Sequence, residues 1–479
     1  MTLSHLHKSI AALLTLLGLV CVSLGAVDPQ LIRDIHERAT PSLVVVQYTY
    51  EGELGRRELH AAGIVVGDDG LVIASGTFTP VQIPDEQMTE FKIIIPGDDQ
   101  TEIDADFLGR DDRTNIAFIK ARPEQPSPST QSTQPATAPR AWTPLRFEDV
   151  ALAVGEPVIC VGLLPKDAGY RSYVTAASVS ALLRGPVPQV LVSGEGLCAV
   201  GSPVFDGHGR AVGIVHAQEN QSPFLNDPRE PMAPVFTPPR LFVPASDFLL
   251  SLNDPPVKGQ PLKYPHIGVA QLSGLKKEVA EYFGLENQPA VQVGDVISGF
   301  PADKAGLKRG DIIVKVNGQP LERGDDPDET PLIMTRKIAR MKVGQDVTFT
   351  VVRGRGQPPR EITVTLEERP MQANKAKRFF AEDLGFTARQ IVFEDTYVRR
   401  LPSDTRGVVV ALVKPNSSAQ TAKLQHGDLI TRLNQSTIES LDDFKSQYQT
   451  FRKEQPREAV VLEVLRGVNT QIIRIEPPQ

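Results

Sequence analysis

Short runs of apolar residues, alternating or continuous, punctuated every few positions by Gly, Pro and Asp, fill the first half of the chain. This pattern reads as strands joined by turns. Leu43-Val-Val-Val-Gln-Tyr48, Ala62-Gly-Ile-Val-Val66 and Phe91-Lys-Ile-Ile-Ile95 form one group, and Val190-Leu-Val192 and Ala211-Val-Gly-Ile-Val215 a second. Leu241-Phe-Val-Pro-Ala-Ser246 closes the second group. Between the groups, Pro123 to Pro139 has no apolar residues to bury, so a disordered linker over about 123–140 is expected. The Pro-rich stretch Gln218 to Pro239 reads as a surface loop.

The second half repeats itself. Pro301-Ala-Asp-Lys-Ala-Gly-Leu307, followed by Gly310-Asp311-Ile-Ile313 and Asn317, recurs as Ser418-Ala-Gln-Thr-Ala-Lys-Leu424, Gly427-Asp428-Leu-Ile430 and Asn434. The register is constant, since 428 − 311 = 117 and 434 − 317 = 117. The same offset relates His266-Ile267-Gly268-Val269 to Asp383-Leu384-Gly385-Phe386. Such self-similarity marks two copies of one domain. In each copy the Ala-rich segment predicts a short helix, and Gly-Asp-Ile/Leu-Ile a turn entering a buried strand. Further helices are expected near Leu332–Met341 and Leu441–Phe451, the first preceded by an acidic solvated loop over 321–330.

The N-terminus has a different character. His5, His7 and Lys8 precede an apolar run from Ile10 to Leu24 that ends in the small residues Gly25 and Ala26. Residues 1–26 are therefore expected to be a cleaved signal peptide, with an uncleaved anchor as the alternative. Cys21 lies inside it, leaving Cys160 and Cys198 in the mature chain. A buried structural role suits Cys160; a thiol nucleophile at Cys198 would need a base that no neighbouring residue supplies. Sequence alone leaves open whether the two cysteines pair.

With 479 residues, about three domains are expected, and a 41% hydrophobic and 23% charged composition is ordinary for globular proteins. A net charge of −7 without a basic patch gives no electrostatic reason to expect a nucleic-acid partner. No His/Cys/Asp/Glu group has metal-ligand spacing and no Gly-rich phosphate loop precedes a helix, so no metal and no cofactor is expected.

Three segments carry the chemistry: Gly70-Leu-Val-Ile-Ala-Ser-Gly-Thr77-Phe78, Thr114-Asn115-Ile-Ala-Phe-Ile-Lys120 and Cys198-Ala-Val200-Gly-Ser-Pro-Val-Phe205. They resemble the catalytic segments of the HtrA (DegP-like) serine proteases, whose pattern places histidine, aspartate and serine where this chain has Thr77, Asn115 and Val200. Acyl transfer needs a hydroxyl to attack, an imidazole to take its proton and a carboxylate to orient that imidazole. At these positions valine offers no nucleophile, threonine is no base near neutral pH and asparagine is no carboxylate, so no catalytic residue is assigned. Cys198 also replaces the family's glycine at the oxyanion-hole position, where a side chain restricts the backbone. His60, His208 and His216 are read as turn or surface residues, and Ser75 and Ser202 flank the vacated positions without an oriented base.

The two repeats resemble the PDZ domains that follow the protease in that family. The resemblance makes Ile267, Gly268 and Val269, and in the second copy Leu384, Gly385 and Phe386, a loop whose N–H groups receive a peptide's C-terminal carboxylate. The expected fold is mainly β: a trypsin-like double β-barrel over 27–252, then PDZ domains (α+β, partly open barrels) over 260–370 and 376–479. The expected function is an exported pseudoprotease that binds peptides, C-terminal tails of envelope proteins or unfolded segments, as scaffold, adaptor or chaperone-like protein. An active endopeptidase with a rebuilt site, or a structural subunit assembled with HtrA-like paralogues, are the alternatives. The resemblance also implies a homo-oligomer.

Overall fold

The computed structural model describes residues 27–477 apart from 54, 81–82, 98–100, 124–139, 184–186, 217–239, 261 and 325. The expected signal peptide, inter-barrel linker and Pro-rich loop thus lie largely or wholly outside the described residues.

The first strand group closes into a barrel of β1 (Leu43–Gly52), β2 (Gly55–Val65), β3 (Leu71–Ser75), β4 (Met88–Ile94), β5 (Glu102–Asp111) and β6 (Ile116–Ala121), in the order β1-β2-β3-β6-β5-β4. The second closes β7 (Pro157–Leu163), β8 (Ser172–Leu183), β9 (Gln189–Gly194), β10 (Pro203–Asp206), β11 (Ala211–Val215) and β12 (Leu241–Pro244), in the order β10-β11-β12-β9-β8-β7. β1 shows why its sequence is nearly continuous in apolar residues rather than half polar. Val44, Val46, Tyr48 and Tyr50 fill the barrel interior, while Leu43 and Val45 point the other way, into a core shared with the second barrel. Alternate side chains leave opposite faces of a strand, so a strand buried on both faces must be apolar throughout. Ile64, Ile73 and Phe118 meet Ile159, Val161, Phe205 and Ile214 in that shared core, which fixes one barrel on the other and forms the floor of the cleft between them.

The first repeat builds β13 (Pro265–His266), β14 (Leu272–Gly274), β15 (Val291–Val293), β16 (Ile312–Val316), β17 (Gln319–Pro320), β18 (Asp346–Val352), β19 (Arg360–Thr365) and β20 (Glu367–Glu368). β13 pairs with β20, and the main sheet runs β14-β15-β16-β18-β19 with β17 on β16. The helix Glu329–Ala339 covers it, burying Thr330, Pro331, Met334 and Ile338 at helical spacing.

The second repeat builds β21 (Arg378–Ala381), β22 (Phe386–Gln390), β23 (Val408–Val413), β24 (Leu429–Leu433), β25 (Ser436–Thr437), β26 (Val460–Arg466) and β27 (Asn469–Ile475). Its sheet runs β21-β22-β23-β24-β26-β27, with β25 on β24. The helix Leu441–Glu454 buries Leu441, Phe444 and Tyr448 against it, and its first turn is capped by Ser440 Oγ accepting from Asp443 N at 3.2 Å.

Both repeats contain a buried ion pair that secures the Gly-Asp turn. Arg353 donates to both carboxylate oxygens of Asp311 at 2.6 Å, and Arg466 does so to Asp428 at 2.7 and 2.6 Å. Each aspartate also accepts the N–H of the residue three positions earlier, Lys308 or Gln425. The repeats are tied to the barrels as well. Arg336 and Arg340, on the first repeat's helix, pair with the fully buried Asp247. Thr387 of β22 donates to Glu53, at the tip of the β1–β2 hairpin, at 2.8 Å.

Candidate functional sites

Thr77 lies in a single helical turn immediately after β3, with its N–H 3.4 Å from Ser75 Oγ. Asn115, in the turn before β6, adopts φ +54°, a left-handed conformation that asparagine tolerates better than most residues. Its carbonyl accepts Gly76 N–H at 2.7 Å, and its Nδ2 lies 3.4 Å from Thr77 Oγ1. Gly76 has no room for a side chain there, since a Cβ would meet Asn115 Oδ1 at 2.2 Å. Val200 comes from the second barrel, on the loop before β10. Thr77 and Val200 line one cleft of about 820 Å³ between the barrels, together with Val45, His60, Ser75 and Tyr170. Thr77 and Val200 thus face one cleft with a hydroxyl and an isopropyl group, and the Asn115 amide adjoins Thr77.

His60 also lines this cleft, a correction to its reading as a turn or surface residue. Register explains its placement: His60 pairs with Gln47 across β1–β2, two residues from Ala62, which also lines the cleft. Its ring hydrogen-bonds Gln47 Oε1 at 2.8 Å, and burial, aided by Lys166, holds its pKa below the ordinary histidine value. Among the described residues, neither ring nitrogen meets a hydroxyl. His208 lies in a turn with its N–H on Asp206, and His216 is half-buried near Asp247. Ser202 is fully buried and its Oγ has no partner among the described residues. The Cys198 thiol turns away from the cleft into the second barrel, 3.3 Å from the Cys160 carbonyl. Both thiols are free and fully buried, and burial raises the Cys160 pKa well above normal. The hydrogen bond with Cys160 lowers the Cys198 pKa, but its thiol is buried and no imidazole adjoins it among the described residues.

The first repeat's loop has Gly268 at φ +79°, where a Cβ would collide with Phe300 Cβ at 2.3 Å. Gly268 N–H donates to His266 Nδ1 at 2.6 Å, a contact within the loop that its spacing alone did not reveal. Ile267 is buried, and its carbonyl and that of Gly268 are anchored by Ala302 and Ile297 N–H. β14 is the edge of its sheet and lies beside the helix Glu329–Ala339, held to its start by Gly274 N–H donating to Asp328 at 3.2 Å.

The second repeat's loop is engaged differently. Gly385 has φ +75°, but Leu384 and Gly385 N–H both donate to Ala381 O, at 3.2 and 2.8 Å, and Phe386 pairs with Ala381. Leu384, Gly385 and Phe386 are therefore not an open carboxylate cradle: β21 has folded back onto the edge that β14 leaves free in the first copy.

Two closed barrels sharing a cleft, followed by two sheets with groove helices, define a trypsin-like peptidase domain joined to two PDZ domains. The trypsin-like peptidase domain family matches residues 61–214, and the PDZ domain family matches 265–366 and 384–476. The chain thus carries a trypsin-like peptidase domain followed by two PDZ domains, and it is similar to proteins described as DegP-like. It is 26% identical over 428 residues to the probable periplasmic serine endoprotease DegP-like of Brucella suis biovar 1 (strain 1330), covering 86% of this chain and 72% of that protein. Similarity to the protein of the same description from Ectopseudomonas mendocina (strain ymp) is 25% over 450 residues, covering 91% and 83%. Among solved structures, the HtrA-type protease AlgW with tripeptide shares the fold, with a TM-score of 0.50 and 18% identity over 71% of this chain and 98% of that one. Among the described residues, no helix is long and apolar enough to cross a membrane.

Proposed function

We propose that this chain is an exported, non-cleaving member of its family that holds free C-termini of unfolded or envelope proteins, as a scaffold or chaperone-like partner. The observation that carries this reading is the set of side chains at the cleft, Thr77 beside Asn115 with Val200 opposite. A threonine hydroxyl cannot accept a proton near neutral pH, an amide cannot stabilise an imidazolium, and valine has no nucleophilic atom. His60, the cleft's one imidazole among the described residues, is engaged with Gln47 rather than with a hydroxyl.

Binding is assigned to the first PDZ groove, where a peptide adds beside the edge strand β14 and its carboxylate takes the place of His266 Nδ1 as acceptor of Gly268 N–H. Peptide binding is supported by the family match and by the tripeptide held by the solved relative. Export rests on the apolar segment Ile10–Leu24 and on the periplasmic description of the relatives. The test is incubation of purified protein with an unfolded substrate such as casein, alongside titration with free C-terminal peptides. Intact casein, unchanged by Val200→Ser, together with saturable peptide binding, is expected. Cleavage that co-purifies with the folded chain through successive columns would overturn the reading.

A further inference from the structure

The second repeat pairs its groove strand with a segment of the same chain. β21 lies antiparallel to β22 in the register Arg378↔Arg389, Phe379↔Ala388, Phe380↔Thr387 and Ala381↔Phe386. Strand addition to an exposed edge is also how PDZ-type grooves take an extended peptide. Three features make the segment ligand-like. Its last carbonyl, on Ala381, accepts from the two loop N–H groups that a terminal carboxylate would otherwise receive. Two residues earlier, Phe379 leaves the strand on the side of the helix Leu441–Glu454. Its ring stands edge-on to Phe444 at 6.1 Å and Tyr448 at 5.8 Å between centroids. Ala381, next to the loop, is small and fully buried.

We propose that Arg378–Ala381 is a built-in ligand of the second PDZ groove, so that each chain offers C-terminal peptides one groove, the first. The inference builds on the peptide-binding reading above, but its occupied site is judged on its own amides. A tethered segment acts at an effective concentration on the order of millimolar, so a free peptide at micromolar concentration does not displace it. The segment also states what the second groove selects: an aromatic residue, any residue, then a small residue. A peptide ending Arg-Phe-Phe-Ala with a free carboxylate is the competitor of matching chemistry, since its charge strengthens the same two N–H bonds.

The test is hydrogen exchange on the full chain, read at individual amides, with and without that tetrapeptide. In the free chain, Leu384 and Gly385 amides are expected to exchange about a hundredfold or more slowly relative to an unstructured chain, and to be unmoved by micromolar peptide. Phe379→Asp is expected to speed both amides and to raise the peptide stoichiometry from one to two per chain. Fast exchange at Leu384 and Gly385 in the free wild-type chain, or two peptide sites on it, would overturn the proposal. So would a folded Phe379→Asp variant whose amides stay slow. If Phe379→Asp unfolds the second repeat, the wild-type amides alone decide. An absence of any peptide effect on the first repeat would count against peptide capture there, while Leu384 and Gly385 exchange still decides whether the second groove is occupied.

Discussion

The two PDZ repeats share a skeleton and differ at the segment that leads into it. Both close the Gly-Asp turn with a buried Asp–Arg pair, and both hold a glycine at positive φ in the loop. The residues just before the loop part company. In the first repeat Tyr264 leaves for barrel one, where its hydroxyl accepts Asp112 N–H at 3.0 Å and its ring lies under Arg113 and Lys375. In the second, Phe379 and Ala381 fold back into the groove beside their own loop. A PDZ scaffold therefore does not by itself specify a free binding site. The three or four residues on its flank decide whether the edge is open.

The largest expected effects concern what the repeats share. Asp311→Ala and Asp428→Ala each leave a guanidinium in a partly buried site, at a cost of about 3 kcal/mol, the low end for a broken buried pair because the arginines are 28% and 27% exposed. Denaturant unfolding monitored in each repeat should register nearly equal losses; a large loss in only one would mean that the skeletons are not equivalent. Next is Gly268→Val. Its Cβ meets Phe300 at 2.3 Å and its φ is +79°, so the loop must move. Peptide affinity should fall about tenfold to a hundredfold, the scale of one or two lost hydrogen bonds to a charged group. Gly385→Ala should leave that affinity unchanged. Amidating the peptide is a gentler version of the same cut. It should weaken binding by about tenfold, and indifference to the free carboxylate would show that the first groove reads internal segments.

Much of this was legible in the chain. Two strand groups and a duplicated domain followed from strand alternation and the 117-residue offset, because hydrophobic periodicity and Gly turns are local properties, while the barrels and PDZ domains came from the resemblance of the segments to a known family. Thr77, Asn115 and Val200 could be singled out together because each segment resembles a known pattern. What escaped depends on long-range placement. Nothing near His60 announces that pairing with Gln47 turns it to the cleft, and nothing near Asp311 names Arg353 as its partner. The occupied second groove escaped as well, since the offset equates Asp383-Leu384-Gly385-Phe386 with His266-Ile267-Gly268-Val269 and carries no information on where β21 folds.

The smallest expected effect is on pH, and it separates the repeats again. His266 is held below the ordinary histidine pKa by burial and then by Arg369, with Glu367 opposing; the second repeat has Asp383 at the matching position, paired with Arg452. Because the folded chain binds fewer protons at His266 than the unfolded chain, the first repeat loses stability as pH falls through about 6.5. Peptide affinity moves the other way. Protonating His266 removes the acceptor for Gly268 N–H and sets a positive charge beside the incoming carboxylate. Calorimetry at pH 7.5 and 5.5 should find binding a few-fold tighter in acid, about 1 kcal/mol, with net proton uptake. A flat profile, or proton release, would remove His266 from the site.

The central claim is that the cleft holds no hydrolytic machinery while the first groove still captures chains. The most direct measurement is intact-mass spectrometry of an unfolded protein with a free C-terminus, recovered from its complex with this chain after long incubation. The account predicts that the captured protein returns at full mass, for the wild type and for Val200→Ser alike, since Thr77 and Asn115 still provide no base and no orienting carboxylate. Fragments that accumulate with time, in proportion to folded chain and independent of contaminating proteases, would contradict it.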